Sequence, residues 1–140
     1  MKASDRDIIK QVLVSSPEVA AAYLFGSAAT GDELARDVDI LILPYPGVYP
    51  THVYFEVTHR ITQSLQTTDD RVDVLLFDLD EADPEVLYSA LTNGMLIKNA
   101  SPDLLSEKIE ALSSYFLINE FMIENAKRLE AERLEAYSAG

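Results

Sequence analysis

YLFGSAATGDELARDVDILIL, the run from Tyr23 to Leu43, decides how the chain is read. It predicts an apolar strand through Tyr23, Leu24 and Phe25 and a turn at Gly26-Ser27. A short small-residue helix or turn then ends near Gly31, and a second strand carries Asp37 and Asp39 at its polar end. Strand side chains alternate between faces, so Asp37 and Asp39 share one face while Val38 takes the other. Neighbouring carboxylates repel and raise each other's pKa, which costs stability unless a cation neutralises them. Mg²⁺ suits this oxygen chemistry, being held by one or two carboxylates together with substrate phosphates. Gly26 and Ser27 suit the phosphate end, because glycine admits a close backbone approach and the N–H groups at a helix start favour anions.

Composition narrows the frame around this stretch. A chain of 140 residues, 48% of them hydrophobic, supports one ordinary core, and one domain is expected. Within it, residues 1–100 are expected to form the core and residues 101–140 a C-terminal helix packed on that core, on a partner, or on both. There is no cysteine, so disulfides, thiolate metal sites and a cysteine nucleophile are excluded. The N-terminal MKASDRDIIK has no apolar signal core, and no stretch approaches the roughly 20 apolar residues of a membrane span. The expectation is a soluble, cytoplasmic protein. With 24 acidic against 11 basic residues and a formal charge of −13, a tract that grips nucleic-acid phosphates is not expected. The acidity itself reads most plainly as solubility; the functional alternative is a metal-dependent site with attraction to a basic partner.

Outward from the central stretch, Ser4 to Val14 reads as an amphipathic helix with Ile8, Ile9, Val12 and Leu13 on one face, stopped by Pro17. Val19 to Phe25 is the first strand and Asp37 to Leu43 the second. PYPGVYPTH, Pro44 to His52, excludes both helix and ladder pairing and reads as a loop next to the site, with Tyr45 and Tyr49 packing it down or stacking on a base. Thr51 is placed to cap a helix carrying Val53, Tyr54, Val57, Ile61 and Leu65, ending near Thr67. His52 and His59 are read as structural or exposed. Arg71 to Phe77 is a third strand interrupted by Asp73, which lies at an exposed rim or shares a cation with Asp37 and Asp39. Asp83-Pro84 opens a short helix to Thr92 that Asn93-Gly94 ends, and Met95 to Lys98 is a short edge strand. From Asp103 to about Tyr137 neither proline nor glycine interrupts the longest helix, whose stripe runs through Leu105, Ile109, Leu112, Phe116, Ile123 and Ala126. Leu117, Ile118 and Phe121 widen its apolar face beyond one docking surface, which points to a subunit interface or to a domain that covers the segment itself.

Three aspartates beside a Gly-Ser turn suit phosphoryl or nucleotidyl transfer, in which two divalent ions roughly 3.5–4 Å apart bind the attacking and leaving oxygens. Positioning and charge neutralisation then carry the reaction, and no His, Cys or Ser nucleophile is required. Strand, Gly26-Ser27, spacer, Asp37-Val38-Asp39 and a later strand aspartate, Asp73, form a combination much more specific than its parts. In it the chain resembles the minimal nucleotidyltransferases of the DNA polymerase β superfamily, over about Val12 to Phe77 and arguably over its whole length.

The resemblance implies an α/β (α+β) fold with a small mixed sheet flanked by helices, and a long C-terminal helix. It also implies ATP or another NTP as donor and two Mg²⁺ ions held by Asp37, Asp39 and Asp73, with Gly26 and Ser27 on the phosphates. Within the superfamily the chain is most similar to the MNT antitoxins of HEPN/MNT toxin–antitoxin pairs, in which AMP is transferred to a tyrosine of the HEPN ribonuclease toxin. By that likeness a HEPN toxin is the expected partner, and Leu117, Ile118 and Phe121 are candidates for its interface. Arg36 stands where family members often carry serine before the first metal aspartate, which implies a phosphate contact or altered activity. The R-x4-6-H motif of the toxin is absent from the sequence. Two alternatives accompany this reading: a binding module that neutralises its partner by occlusion, and an enzyme that modifies a small molecule.

Overall fold

Seven residues from Val19 to Phe25 (β1) and seven from Val38 to Pro44 (β2) are the inner pair of a four-stranded sheet. Val72–Leu76 (β3) and Met95–Asn99 (β4) are its edges, in the order β3-β2-β1-β4. The molecule is described by a computed structural model covering residues 3–26 and 37–139, without the side chains of 121, 123, 134 and 136–139. The sheet is mixed: β1 is antiparallel to both β2 and β4, whereas β2 and β3 are parallel.

Alternation along these strands determines what is buried. The even positions Ala22 and Leu24 of β1, Val38, Ile40 and Ile42 of β2, and Val72 and Val74 of β3 enter one cluster. Two helices contribute the rest: Ile9, Val12 and Leu13 from Ala3–Val14 (α1), and Val53, Val57 and Ile61 from Pro50–Leu65 (α2). Each fully buried Leu, Ile or Val is worth about 1.5–3 kcal/mol, so this layer is the main source of stability. Val19 joins the cluster despite its odd number because the β1–β2 register shifts between Val19 and Ala21, and an irregularity of that kind changes which face a residue meets. The odd-numbered face is also covered in part, since Ala21, Leu41 and Leu43 are buried.

Pro84–Asn93 (α3) packs against β1 and buries Leu87 and Ala90. It starts as its sequence predicts: the Asp83 carboxylate accepts from the Glu85 N–H at 2.9 Å, with Pro84 in the first turn. α2 departs from expectation. Pro50 opens it with Tyr49, which makes no side-chain cap, at the N-cap, so Thr51 and His52 lie within the first turn. It ends where Gln66 turns into the left-handed region at φ 55°. Pro102–Ala139 (α4) runs through the C-terminal stretch without interruption. Two compact units divide within it, Met1–Leu105 and Ser106–Gly140. No helix among the described residues is long and apolar enough to cross a membrane.

Lys98 ties edge strand β4 to the end of α1, its Nζ donating to the carbonyls of Leu13 at 3.0 Å and Ser16 at 2.9 Å. Burial depresses its pKa, yet a cation is favoured beside carbonyls at the C-terminal end of a helix. Replacing it with methionine keeps the apolar stem but takes one charged donor from each carbonyl, leaving Leu13 O with the Ser16 N–H and Ser16 O with the Val19 N–H. Lys98→Met is therefore expected to cost about 1–2 kcal/mol, read as a lowered urea midpoint at unchanged m-value. An unmoved midpoint would mean that water satisfies those carbonyls equally well.

Candidate active site

The parallel pairing of β2 with β3 is in register, Val38 with Val72, Asp39 with Asp73 and Ile40 with Val74. In-register neighbours on adjacent strands project from the same face, with the strands about 4.8 Å apart. Asp73 consequently stands beside Asp39, on the face away from the α1–α2 core. The same pairing buries Val72 and Val74 and leaves Asp73 exposed, which resolves how an acidic residue sits inside an apolar strand. Asp37 is exposed and lies two residues before Asp39, just ahead of β2.

Electrostatics register the proximity. The Asp39 carboxyl is pushed above its ordinary range, first by loss of water and then by the charges of Asp73 and Asp37. A cation would relieve all three contributions, because it replaces lost hydration and offsets both neighbours.

Gly26 closes the arrangement from β1. Phe25 pairs with Asp39 across the antiparallel ladder, and Gly26 follows it with φ +72°. A Cβ built on Gly26 would overlap Oδ2 of Asp39 and stand 3.3 Å from its Cγ. Glycine is thus demanded twice, by the left-handed backbone and by the carboxylate against it. The result is one residue of bare main chain against the Asp39 carboxylate.

Of the residues marked by sequence, Gly26, Asp37, Asp39 and Asp73 are gathered at one end of the β1–β2–β3 sheet. Ser27 and Arg36 lie outside the described residues, as does the side chain of Phe121. Leu117 and Ile118 are exposed on α4. The proline-rich loop requires correction: it is not next to these aspartates. Because β1 and β2 are antiparallel, the turn after Phe25 feeds the start of β2, and whatever follows Pro44 emerges at the opposite end, beside Val19. Five residue steps of strand carry the chain from Asp39 to Pro44, roughly 17 Å. Tyr49 in that loop is exposed rather than packed, and Tyr45 is half-buried. His59 is exposed.

Sequence reading missed one constellation. Among the described residues, a group whose donor atoms all lie within 4.8 Å of one another is Glu18, His52 and Glu56, at that far end. The available signal was the four-residue spacing of His52 and Glu56, which a helix begun at Pro50 turns into neighbours.

The model of the family described as polymerase beta, nucleotidyltransferase, matches residues 7–103. Among curated proteins, none matches the sequence. Solved structures share the fold at low identity. A complex of tri-AMPylated Shewanella oneidensis HEPN toxin with MNT antitoxin contains a chain 19% identical, with a TM-score of 0.59 over 90% of this chain and 98% of that one. A toxin–antitoxin crystal structure with AMP-PNP gives 19% identity and a TM-score of 0.61 over 86% and 97% of the two chains. The MntA–HepT toxin–antitoxin complex gives 17% and 0.58 over 89% and 98%.

A raised carboxyl pKa fixes the sign of a stability test. Between the ordinary aspartate value of about 3.9 and the raised one, the folded protein holds more protons than the unfolded chain, so stability falls as pH rises through that window. Above that window the penalty is complete. Asp39→Asn is accordingly expected to melt higher than the wild type at pH 7 without divalent ions, and to lose that advantage below about pH 4. Thermal denaturation across pH measures both; a variant that melts lower at pH 7 would show that Asp39 is not under charge strain.

Proposed function

The chain belongs to the polymerase β nucleotidyltransferase family, and from that premise we propose that it is a metal-dependent nucleotidyltransferase acting as an antitoxin, which transfers AMP from ATP to a tyrosine of a HEPN-type toxin. The observation that carries this reading is the in-register pairing of Asp39 with Asp73, beside Asp37 and against the bare backbone of Gly26. The likeness to antitoxin chains spans nearly the whole of both partners, and the toxin in one of those complexes is tri-AMPylated.

Asp37, Asp39 and Asp73 would hold divalent magnesium, two ions in the reading favoured here, and the charge strain on Asp39 suits such occupancy. When bound, these ions neutralise the triphosphate and polarise the reacting oxygens. The protein's own groups do the remainder. Gly26 lets main chain lie against a phosphate where any other side chain would meet Asp39. Ser27 and Arg36, which flank the intervening segment, are assigned to the outer phosphates. Asp73, exposed at the rim, accepts the proton of the incoming hydroxyl. The tyrosine oxygen bonds to the α-phosphorus as the bond to the β-phosphate oxygen breaks, pyrophosphate departs, and Asp73 passes its proton to solvent. Alignment of the reactants supplies the rate, without a covalent enzyme intermediate.

α4 is the proposed partner surface. Leu117 is 67% exposed, Ile118 59% and Met122 61%, a cluster of apolar side chains on consecutive turns. Exposed apolar groups at helical spacing are what a partner helix can cover. Phe121 is assigned to the same face from its position in the sequence. The same surface supports the alternative in which the toxin is silenced by occlusion alone.

An assay with α-labelled ATP, Mg²⁺ and the co-expressed toxin distinguishes the two. Label is expected on the toxin, with Asp39→Asn lowering the rate by at least about 100-fold, the scale on which losing one transition-state stabiliser acts. A tight complex that never acquires label would favour occlusion, and normal transfer by both Asp37→Asn and Asp39→Asn would remove the site. Ile118→Glu is expected to weaken the complex at least tenfold by titration while leaving the melting temperature of the free protein unchanged. A fall in that temperature with unaltered affinity would assign Ile118 to folding instead.

A further inference from the structure

Far from the aspartates, three ligating side chains from two segments meet at the surface. His52 and Glu56 lie one turn apart in α2, with His52 Nε2 3.1 Å from Glu56 Oε2. Glu18 arrives from the segment before β1, and its donor atom lies within 4.8 Å of both. The backbone holds this convergence: Tyr45 N–H donates to the Glu18 carbonyl at 3.0 Å, and Val19 pairs with Pro44, which ties the Glu18 segment to the loop that leads into α2. Glu18 and Glu56 also border one shallow cavity, with Ser16, Pro17, Val19, Val53 and Val57 as its other walls and no cation among them.

The neighbouring cation is engaged elsewhere. Arg60 follows Glu56 by four residues, the spacing and order that favour a helical ion pair. Its guanidinium donates instead to the Ser16 hydroxyl at 2.6 Å and the Ser15 hydroxyl at 2.7 Å. Among the described residues, the ion pair made by Glu56 is with His52 alone, and Glu18 makes none. Among the described residues, two carboxylates therefore converge on one imidazole with no lysine or arginine ion-paired to them, Lys98 being held by the Leu13 and Ser16 carbonyls.

We propose that Glu18, His52 and Glu56 form a second metal site, one for a borderline transition ion of the zinc type, separate from the aspartate cluster. Ligand chemistry selects the ion. An imidazole nitrogen is a poor donor to magnesium or calcium but suits zinc, and carboxylates complete mixed zinc sites. Bonds of about 2.0–2.2 Å require donor atoms roughly 3–4.4 Å apart, a spread that small rotations of these three side chains supply. Three protein ligands leave the remaining position to water. The ion would join the start of β1 to the start of α2, and its effect would be on stability.

The test is zinc chloride titrated calorimetrically into the full chain carrying Asp37→Asn and Asp39→Asn, which removes competition from the aspartates and does not depend on transfer activity. One equivalent is expected to bind, and the melting temperature to rise as zinc is added. His52→Gln or Glu18→Gln added to that background should weaken binding at least tenfold and abolish the rise, while MgCl₂ in place of zinc should give neither signal. The substituted side chains reach the surface, so circular dichroism should find the variants folded. Zinc binding that survives both changes, or no zinc binding at all, would overturn the proposal. Failure here leaves the transferase reading intact, since that reading uses none of these residues.

Discussion

Two aspartates placed side by side by a parallel strand pair are the constraint on which the rest of this molecule depends. Asp39 and Asp73 face one another across β2 and β3 because the hydrophobic residues on either side of each, Val38 with Val72 and Ile40 with Val74, are paired in the core. The apolar layer dictates the register, and the register brings the charges together. Burial of a few valines and isoleucines thus sustains an electrostatic arrangement that the carboxylates would not adopt by themselves. The charge strain on Asp39 is the visible cost of that arrangement.

The sheet order also sets what lies against the strained carboxylate. With β1 antiparallel to β2, the turn at Gly26 returns to the same end of the sheet as Asp37 and Asp39, so main chain and carboxylates share a space. A glycine with φ +72° and no room for a Cβ fits that space. Parallel β3 then adds Asp73, exposed on the edge strand.

Much of this was legible in the sequence, for reasons particular to each residue. Apolar alternation marked β1 and β2; Asp83-Pro84 marked the start of α3; the uninterrupted C-terminal run marked α4. Gly26, Asp37, Asp39 and Asp73 stand out in the sequence because charges in strands and a glycine at a strand end have few structural uses, and the pairing places them at one end of the sheet. What local pattern does not contain is pairing. Asp73 had two readings until β3 was placed beside β2, since parity along one strand says nothing of which neighbour it meets. The loop from Pro44 shows the same limit: it is near Asp39 in sequence but not in space, because an extended strand carries the chain away at roughly 3.3 Å per residue. His52 and Glu56 carry a helical i, i+4 spacing that the sequence does display, but Glu18 joins them only through the pairing of β1 with β2, which no local pattern contains.

The strict alternation of β2 and β3 also partitions the mutational freedom of the protein. Positions 38, 40, 42, 72 and 74 answer to volume and greasiness, positions 39 and 73 to charge, and the two sets point in opposite directions from one backbone. Drift in the interior can proceed by compensating swaps of methyl groups without displacing an oxygen atom on the outer side. If the proposed chemistry resides on those two carboxylates, two codons suffice to silence it while the scaffold is inherited whole, and a silent descendant would keep the shape of an active one.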